Sequence, residues 1–147
     1  MNMRTLSDAA SLSTVCHVIT DKVAESATAT WSNCLLIGNE IVMSGMTAHP
    51  VSGGLDTYQQ TLVVLGKICD LVKASGGSIG SIYKLVIYVT DISDKEAVGS
   101  ARRAFFQTPY PCSTLVQVSG LVFPGLTVEI DAFARLDIDL QQAVGLE

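Results

Sequence analysis

The first thirty residues carry no apolar period. Ser, Thr and Ala dominate them, and residues 1–30 are expected to form an irregular or partly ordered arm. The first clear pattern is the apolar run 34–37, then Gly38-Asn39, then a second run over 40–44. Two short apolar runs across a Gly-Asn pair predict a β-hairpin, because both residues accept the left-handed backbone of a tight turn. A turn-rich loop follows from His49 to Gly54. From Leu55 to Ser75 the spacing becomes helical: Thr61, Val64, Leu65, Ile68, Leu71 and Val72 fall on one face, with Asp56 as the cap and Gly76-Gly77 as the stop. Residues 85–89 read as a β-branched, aromatic strand ended by Thr90-Asp91. A second helix is predicted over 94–106, capped by Asp94, with Val98, Ala101 and Phe105 as its apolar stripe. Two further strands are expected at about 113–118 and 127–136.

The last of these strands alternates cleanly. Val128, Ile130, Ala132, Ala134 and Leu136 point one way, while Thr127, Glu129, Asp131, Phe133 and Arg135 point the other. The predicted order β-β-α-β-α-β-β over residues 31–140, followed by a tail at 141–147, makes one α+β domain with its helices on one face of a sheet. The second face, which carries Glu129, must then meet solvent or another subunit.

Composition sharpens that choice. The chain has 147 residues, 48% of them apolar and 16% charged, and a mean hydropathy of +0.41. A domain of this size leaves much of its surface exposed, so part of the apolar excess is expected in subunit contacts. The net charge of −5 and scattered basic residues argue against nucleic acid as a partner. No apolar run approaches a membrane span, and the N-terminus lacks the apolar core of a secretory signal, so a cytoplasmic location is the expectation. Cysteines 16, 34, 69 and 112 form no CxxC pair, and with only two histidines no zinc-ligand spacing is present. Cys16, Cys34 and Cys69 are expected as reduced core thiols, whereas Cys112 is either core filling or a thiol beside a cleft.

An ordered set of local strings resembles the RidA/YjgF family. Residues 41–45 (Ile-Val-Met-Ser-Gly) match its strand ending in Ser-Gly. Gln60-Thr61 with Val64, Leu65 and Ile68 matches its first helix. The stretch from Ser75-Gly76-Gly77-Ser78 through Lys84 to Thr90-Asp91, then Phe105-Phe106, Pro111 and Val128-Glu129-Ile130, completes the series. The resemblance covers roughly residues 31–136. It implies a chorismate-mutase-like fold, a homotrimer whose sheets join into a central barrel, and small-molecule clefts between subunits. It also implies hydrolysis of reactive enamines and imines such as 2-aminoacrylate, with no metal or organic cofactor. In that chemistry an arginine holds the substrate carboxylate and a glutamate manages the attacking water.

Carried over residue by residue, the resemblance puts the glutamate at Glu129, as the catalytic candidate. Ser44, Gly45 and the aromatic Trp31 fall at substrate-binding positions. Met46 replaces a glutamine, and Gly99 replaces an asparagine at the start of the second helix. The family's Pro-X-Arg-Ser/Thr reads Pro111-Cys112-Ser113-Thr114 here, so Ser113 stands where the arginine belongs. A hydroxyl cannot copy a bidentate, charge-assisted contact to a carboxylate. Ser113 and Thr114 lack a His-Asp pair to activate them, so they are expected to donate hydrogen bonds to a ligand. Arg102 lies three residues after Gly99, on the same helix face, and is the candidate replacement cation; otherwise it is a surface arginine. Arg135 shares Glu129's strand face but lies about 20 Å away along an extended strand.

Three functions remain open on these residues. The first is cofactor-free hydrolysis of a small C–N substrate altered from 2-aminoacrylate. The second is a non-catalytic trimer that binds a metabolite or a partner enzyme. The third, endoribonuclease activity, is disfavoured by the acidic charge.

Overall fold

The computed structural model describes residues 11–51 and 53–146. Residues 1–10 of the arm, Ser52 of the 49–54 loop, and Glu147 lie outside them. Six strands form one sheet in the order β1-β2-β3-β6-β4-β5. They are β1 (Val15–His17), β2 (Cys34–Ile37), β3 (Glu40–Met43), β4 (Ile82–Val89), β5 (Cys112–Gln117) and β6 (Val128–Arg135). Among the described residues two α-helices, α1 (Thr57–Ala74) and α2 (Lys95–Phe105), connect them. Neighbouring strands are antiparallel except β4 and β5, which run parallel with α2 as the crossover between them.

The predicted hairpin is present, with Gly38 at φ +58 in its turn. Helix α1 begins with a reciprocal capping box: Asp56 accepts from the Gln59 backbone while the Gln59 side chain accepts from Asp56 N. It ends where Gly76 turns left-handed at φ +97, so that Gly76 N and Gly77 N reach back to Lys73 O and Val72 O. Val64, Leu65, Ile68, Leu71 and Val72 are all buried against Leu85, Ile87, Val89, Ile130 and Ala132 of the sheet. Gln60 is fully buried in the same layer. Its amide donates to Leu55 O and Gly125 O and accepts from Thr127 N, which ties the β5–β6 connection to the first turn of α1.

Three details differ from the sequence expectations. The arm contributes an edge strand: Val15–His17 pairs antiparallel with Leu35–Ile37. Its side chains are exposed, so no buried alternation marks it in the sequence. Cys16 lies on this strand and is exposed rather than in the core, as is Cys112, while Cys34 is buried and Cys69 partly so. Asp94 precedes α2 but makes no side-chain cap. Its carboxylate instead accepts from Thr57 Oγ1 at 2.6 Å, joining the starts of the two helices.

The sheet has one covered face and one bare one. Val128, Ile130, Ala132 and Ala134 of β6 are buried under the helices, as predicted. The strand registers place three rows on the other face: Glu129–Tyr88–Val116, Asp131–Val86–Thr114 and Phe133–Lys84–Cys112. Val42 on β3 pairs with Phe133. Val42 (43%), Val116 (41%) and Phe133 (36%) are exposed there. Among the described residues, no helix is long and apolar enough to cross a membrane.

Candidate functional site

Beyond β3 the chain runs on past Ser44 and Gly45, and Met46 pairs through its backbone with Ile130 of β6. This bridge draws Gly45 over the side chains that flank Ile130. A Cβ on Gly45 would lie 3.0 Å from both Asp131 Oδ1 and Glu129 Cδ, so a side chain here would push the two carboxylates aside. The Ser44 hydroxyl donates to Ser32 O at 2.6 Å and Ser44 N donates to Asn33 O, which pins the Trp31–Asn33 segment beside the same spot.

The result is a cavity of about 380 Å³ whose walls include Trp31, Asn33, Ser44, Gly45, Met46 and Glu129. Its far side is the 47–49 loop, held by Lys67 of α1, whose ammonium donates to Thr47 O and His49 O. Burial lowers the Lys67 pKa. The His49 ring stacks on Phe123 at a centroid distance of 4.0 Å, closing the loop against the β5–β6 connection. Trp31 remains 61% exposed at the rim.

Glu129 is the carboxylate that lines this cavity. Burial raises its pKa first, and the neighbouring Asp131 charge raises it further. Asp131 in turn accepts from Tyr88 Oη at 3.0 Å. That bond, with the two carboxylates nearby, raises the Tyr88 pKa and keeps the phenol a neutral donor. Trp31, Ser44, Gly45 and Glu129, named from the sequence, therefore meet in one place.

Arg102 and Ser113 meet in another. Ser113 pairs with Leu85, on the helix-covered side of the sheet, and faces α2. Arg102 Nη1 donates to Ser113 Oγ at 2.7 Å. A second cavity of about 380 Å³ opens there, lined by Gly99, Arg102, Arg103, Tyr110, Pro111 and Ser113. Through the register, Ser113 sits two strands across and three residues along from Glu129, about 10 Å in each direction. Thr114, adjacent in sequence, points to the opposite face, the bare one that carries Glu129. Arg135 is committed elsewhere, to Glu40 and Asp137 at the far end of the sheet.

Sequence reasoning missed the Tyr88–Asp131 pair, Lys67, His49 and Phe123 as cavity residues, and the contact between His17 and Glu25 (2.7 Å), which folds the arm back beside Trp31. Register was the signal for the first pair, since Tyr88 and Asp131 both face away from the core. The loop residues carry no such signal. Among the described residues, no cluster of three His, Cys, Asp or Glu side chains is arranged to hold a metal ion.

Comparison with known proteins decides the family. The endoribonuclease L-PSP family model matches residues 22–136. RidA from the Antarctic bacterium Psychrobacter sp. PAMC 21119 superimposes with a TM-score of 0.71 at 30% identity, covering 82% of this chain and 98% of that one. The chain belongs to the RidA/YjgF family. Another solved structure, a Pseudomonas aeruginosa protein of unknown function, resembles this RidA-family chain more strongly: TM-score 0.88, 52% identity, 90% and 100% coverage. A goat (Capra hircus) protein named 2-iminobutanoate/2-iminopropanoate deaminase is 29% identical over 126 residues, 83% of this chain and 91% of its own. The α+β fold expected from the RidA/YjgF resemblance is the one observed.

Proposed function

We propose that this protein hydrolyses a small imine or enamine to a carbonyl compound and ammonia, at a cleft formed between copies of the chain. The observation that carries the reading is Glu129, partly buried in a cavity with a raised pKa and covered by a glycine that leaves room beside it. A carboxylate whose pKa is raised by burial is a stronger base than an exposed one, and the reaction asks it to accept a proton and return it. Water adds to the carbon of C=N while Glu129 takes its proton. With the imine nitrogen protonated, Glu129 returns its proton to the nitrogen of the resulting carbinolamine. The C–N bond breaks, ammonia leaves, and the hydroxyl gives up its own proton to solvent as the carbonyl forms. An enamine enters the same path once a proton on its β-carbon has made it the imine. No redox change occurs, so no external oxidant or reductant is needed.

Trp31, Ser44 and Gly45 shape the pocket around the reacting carbon. Arg102 and Ser113 bind the rest of the substrate, and their distance from Glu129 within one chain is why a second copy is required. The exposed Val42 and Phe133, paired on neighbouring strands, and Val116 farther along the bare sheet face support that assembly, because exposed apolar groups on a sheet face favour burial. A homotrimer satisfies it, with Thr114 lying on the joined face. The imine-deaminase name of the goat relative supports the reaction class. With Ser113 at the usual arginine position, the substrate is altered from 2-aminoacrylate.

The test is ammonia release from an imine generated in place by an amino-acid oxidase. Acceleration by the wild-type protein that is lost in Glu129→Gln supports the enzyme. A folded assembly that binds 2-oxo acids but accelerates nothing in either form would leave the metabolite-binding reading. Ribonuclease activity ranks last, since the net charge is −5 and Arg102-Arg103 is the only adjacent basic pair.

A further inference from the structure

The second cavity is unusual for so acidic a chain. With fourteen acidic and nine basic residues, most arginines would be expected to find a carboxylate. Arg135 finds two. Arg102 and Arg103 find none among the described residues, and each spends a bond on a serine: Arg102 on Ser113 Oγ and Arg103 on Ser100 Oγ. Each guanidinium has five N–H donors, so most remain free to face a ligand.

Both also converge on one spot. Residues three and four positions along a helix cover the same surface, and the Cβ that Gly99 lacks would lie 3.8 Å from Arg103 Nη1 and 4.0 Å from Arg102 Nη2. The two charges therefore flank an opening in the helix surface. Burial and the neighbouring Arg103 both lower the pKa of Arg102, so the pair is electrostatically unfavourable until an anion arrives. One negative charge would leave the pair half neutralised.

We propose that the cavity between α2 and the start of β5 is a site for a doubly anionic group, the end of a substrate that carries two carboxylates or a phosphate. As a substrate site it rests on the deaminase reading; as an anion site it does not. Ser113 becomes the positioning residue that holds Arg102 in place, and Tyr110 forms the outer wall. The substrate class is then an imino acid with a second anion, such as the imine of a four- or five-carbon 2-oxo dicarboxylate. A single-carboxylate imine such as 2-iminopropanoate would be the poorer substrate.

Two measurements separate the parts. The first titrates succinate, inorganic phosphate and acetate against the assembled protein, following the Gly99 amide and the arginine side-chain N–H signals by NMR. Saturable shifts at Gly99 with succinate or phosphate, at least tenfold tighter than with acetate and lost in an Arg102→Gln/Arg103→Gln double variant, support the anion site. The stronger of the two dianions names its source. No saturation, or equal affinity for acetate, overturns it whatever the turnover assays give.

The second compares imines of oxaloacetate and pyruvate generated in place. The expected result is a preference for the dicarboxylate in kcat/KM. Arg103→Gln should remove that preference, while Arg102→Gln raises KM for both by about ten- to a hundredfold, as loss of a charged hydrogen bond predicts. Ser113→Ala should raise KM with kcat held, and Arg102→Lys should recover part of the loss. Turnover of both imines without preference, unchanged in Arg103→Gln, overturns the substrate assignment.

Discussion

Gly45 lies so close over Glu129 that a methyl group built on it would be 3.0 Å from the carboxyl carbon and equally near Asp131 Oδ1. Both obstacles are ends of side chains rather than backbone, so a substitution here disturbs the carboxylates more than the fold. Gly45→Ala should therefore cost about 1 kcal/mol of stability or less. Under the proposed role of Glu129, displacing its carboxylate by a fraction of an ångström should lower kcat about tenfold. Thermal unfolding and ammonia release measured on the same preparation check both halves.

The raised pKa of Glu129 fixes the sign of a second effect. A carboxyl group whose folded pKa exceeds its unfolded value favours the fold while protonated. That contribution is fully present below the unfolded pKa, about 4.3, and is lost as pH rises through the folded value. Glu129→Gln removes the charge that opposes folding at neutral pH. The variant should be more stable than wild type at pH 7, with the gap closing as pH drops to 4. Its inactivity would then not be a folding defect, and wild-type activity should fall on acidification as Glu129 takes up a proton.

Gln60 binds three backbone groups from full burial. Gln60→Ala leaves Leu55 O, Gly125 O and Thr127 N without that partner and opens a cavity, and should cost about 2–4 kcal/mol in urea unfolding. Because the 118–127 connection carries Phe123 against His49, the same variant should loosen that side of the Glu129 cavity and raise KM.

Gly99 has room to spare. Its absent Cβ would make only ordinary contacts, at 3.8 and 4.0 Å, with two flexible guanidinium ends. Gly99→Ala should stabilise α2 by about 0.5–1 kcal/mol through reduced backbone entropy of the unfolded chain. Differential scanning calorimetry reads the gain directly.

The elements were legible where burial imposes a period. The α1 stripe from Thr61 to Val72, its Asp56 cap and its Gly76 stop, and the alternation of β6 each follow from one buried face and one cap geometry. Val15–His17 was not legible, because an edge strand with exposed side chains pairs only through its backbone, which leaves no trace in residue type. Asp94 sits where a cap belongs, yet Thr57, 37 positions away, takes its carboxylate; local spacing cannot see such a competitor. The site was half legible. Strand parity placed Glu129, and the Ser44-Gly45 string placed its cover. That Ser113 turns toward α2 and receives Arg102, while Thr114 turns away, depends on the register of a parallel pair formed across a helical crossover.

The central claim is that Glu129 of one copy and Arg102 of another complete each cleft. Glu129→Gln and Arg102→Gln chains, each assembled alone, should both be impaired in ammonia release at low substrate concentration. Co-assembled in equal amounts, about a quarter of the clefts should join an intact Glu129 to an intact Arg102 by random assortment, and that share of wild-type activity should return. Mixed assemblies no more active than the average of the two parents would contradict the shared cleft and place the reaction within a single chain.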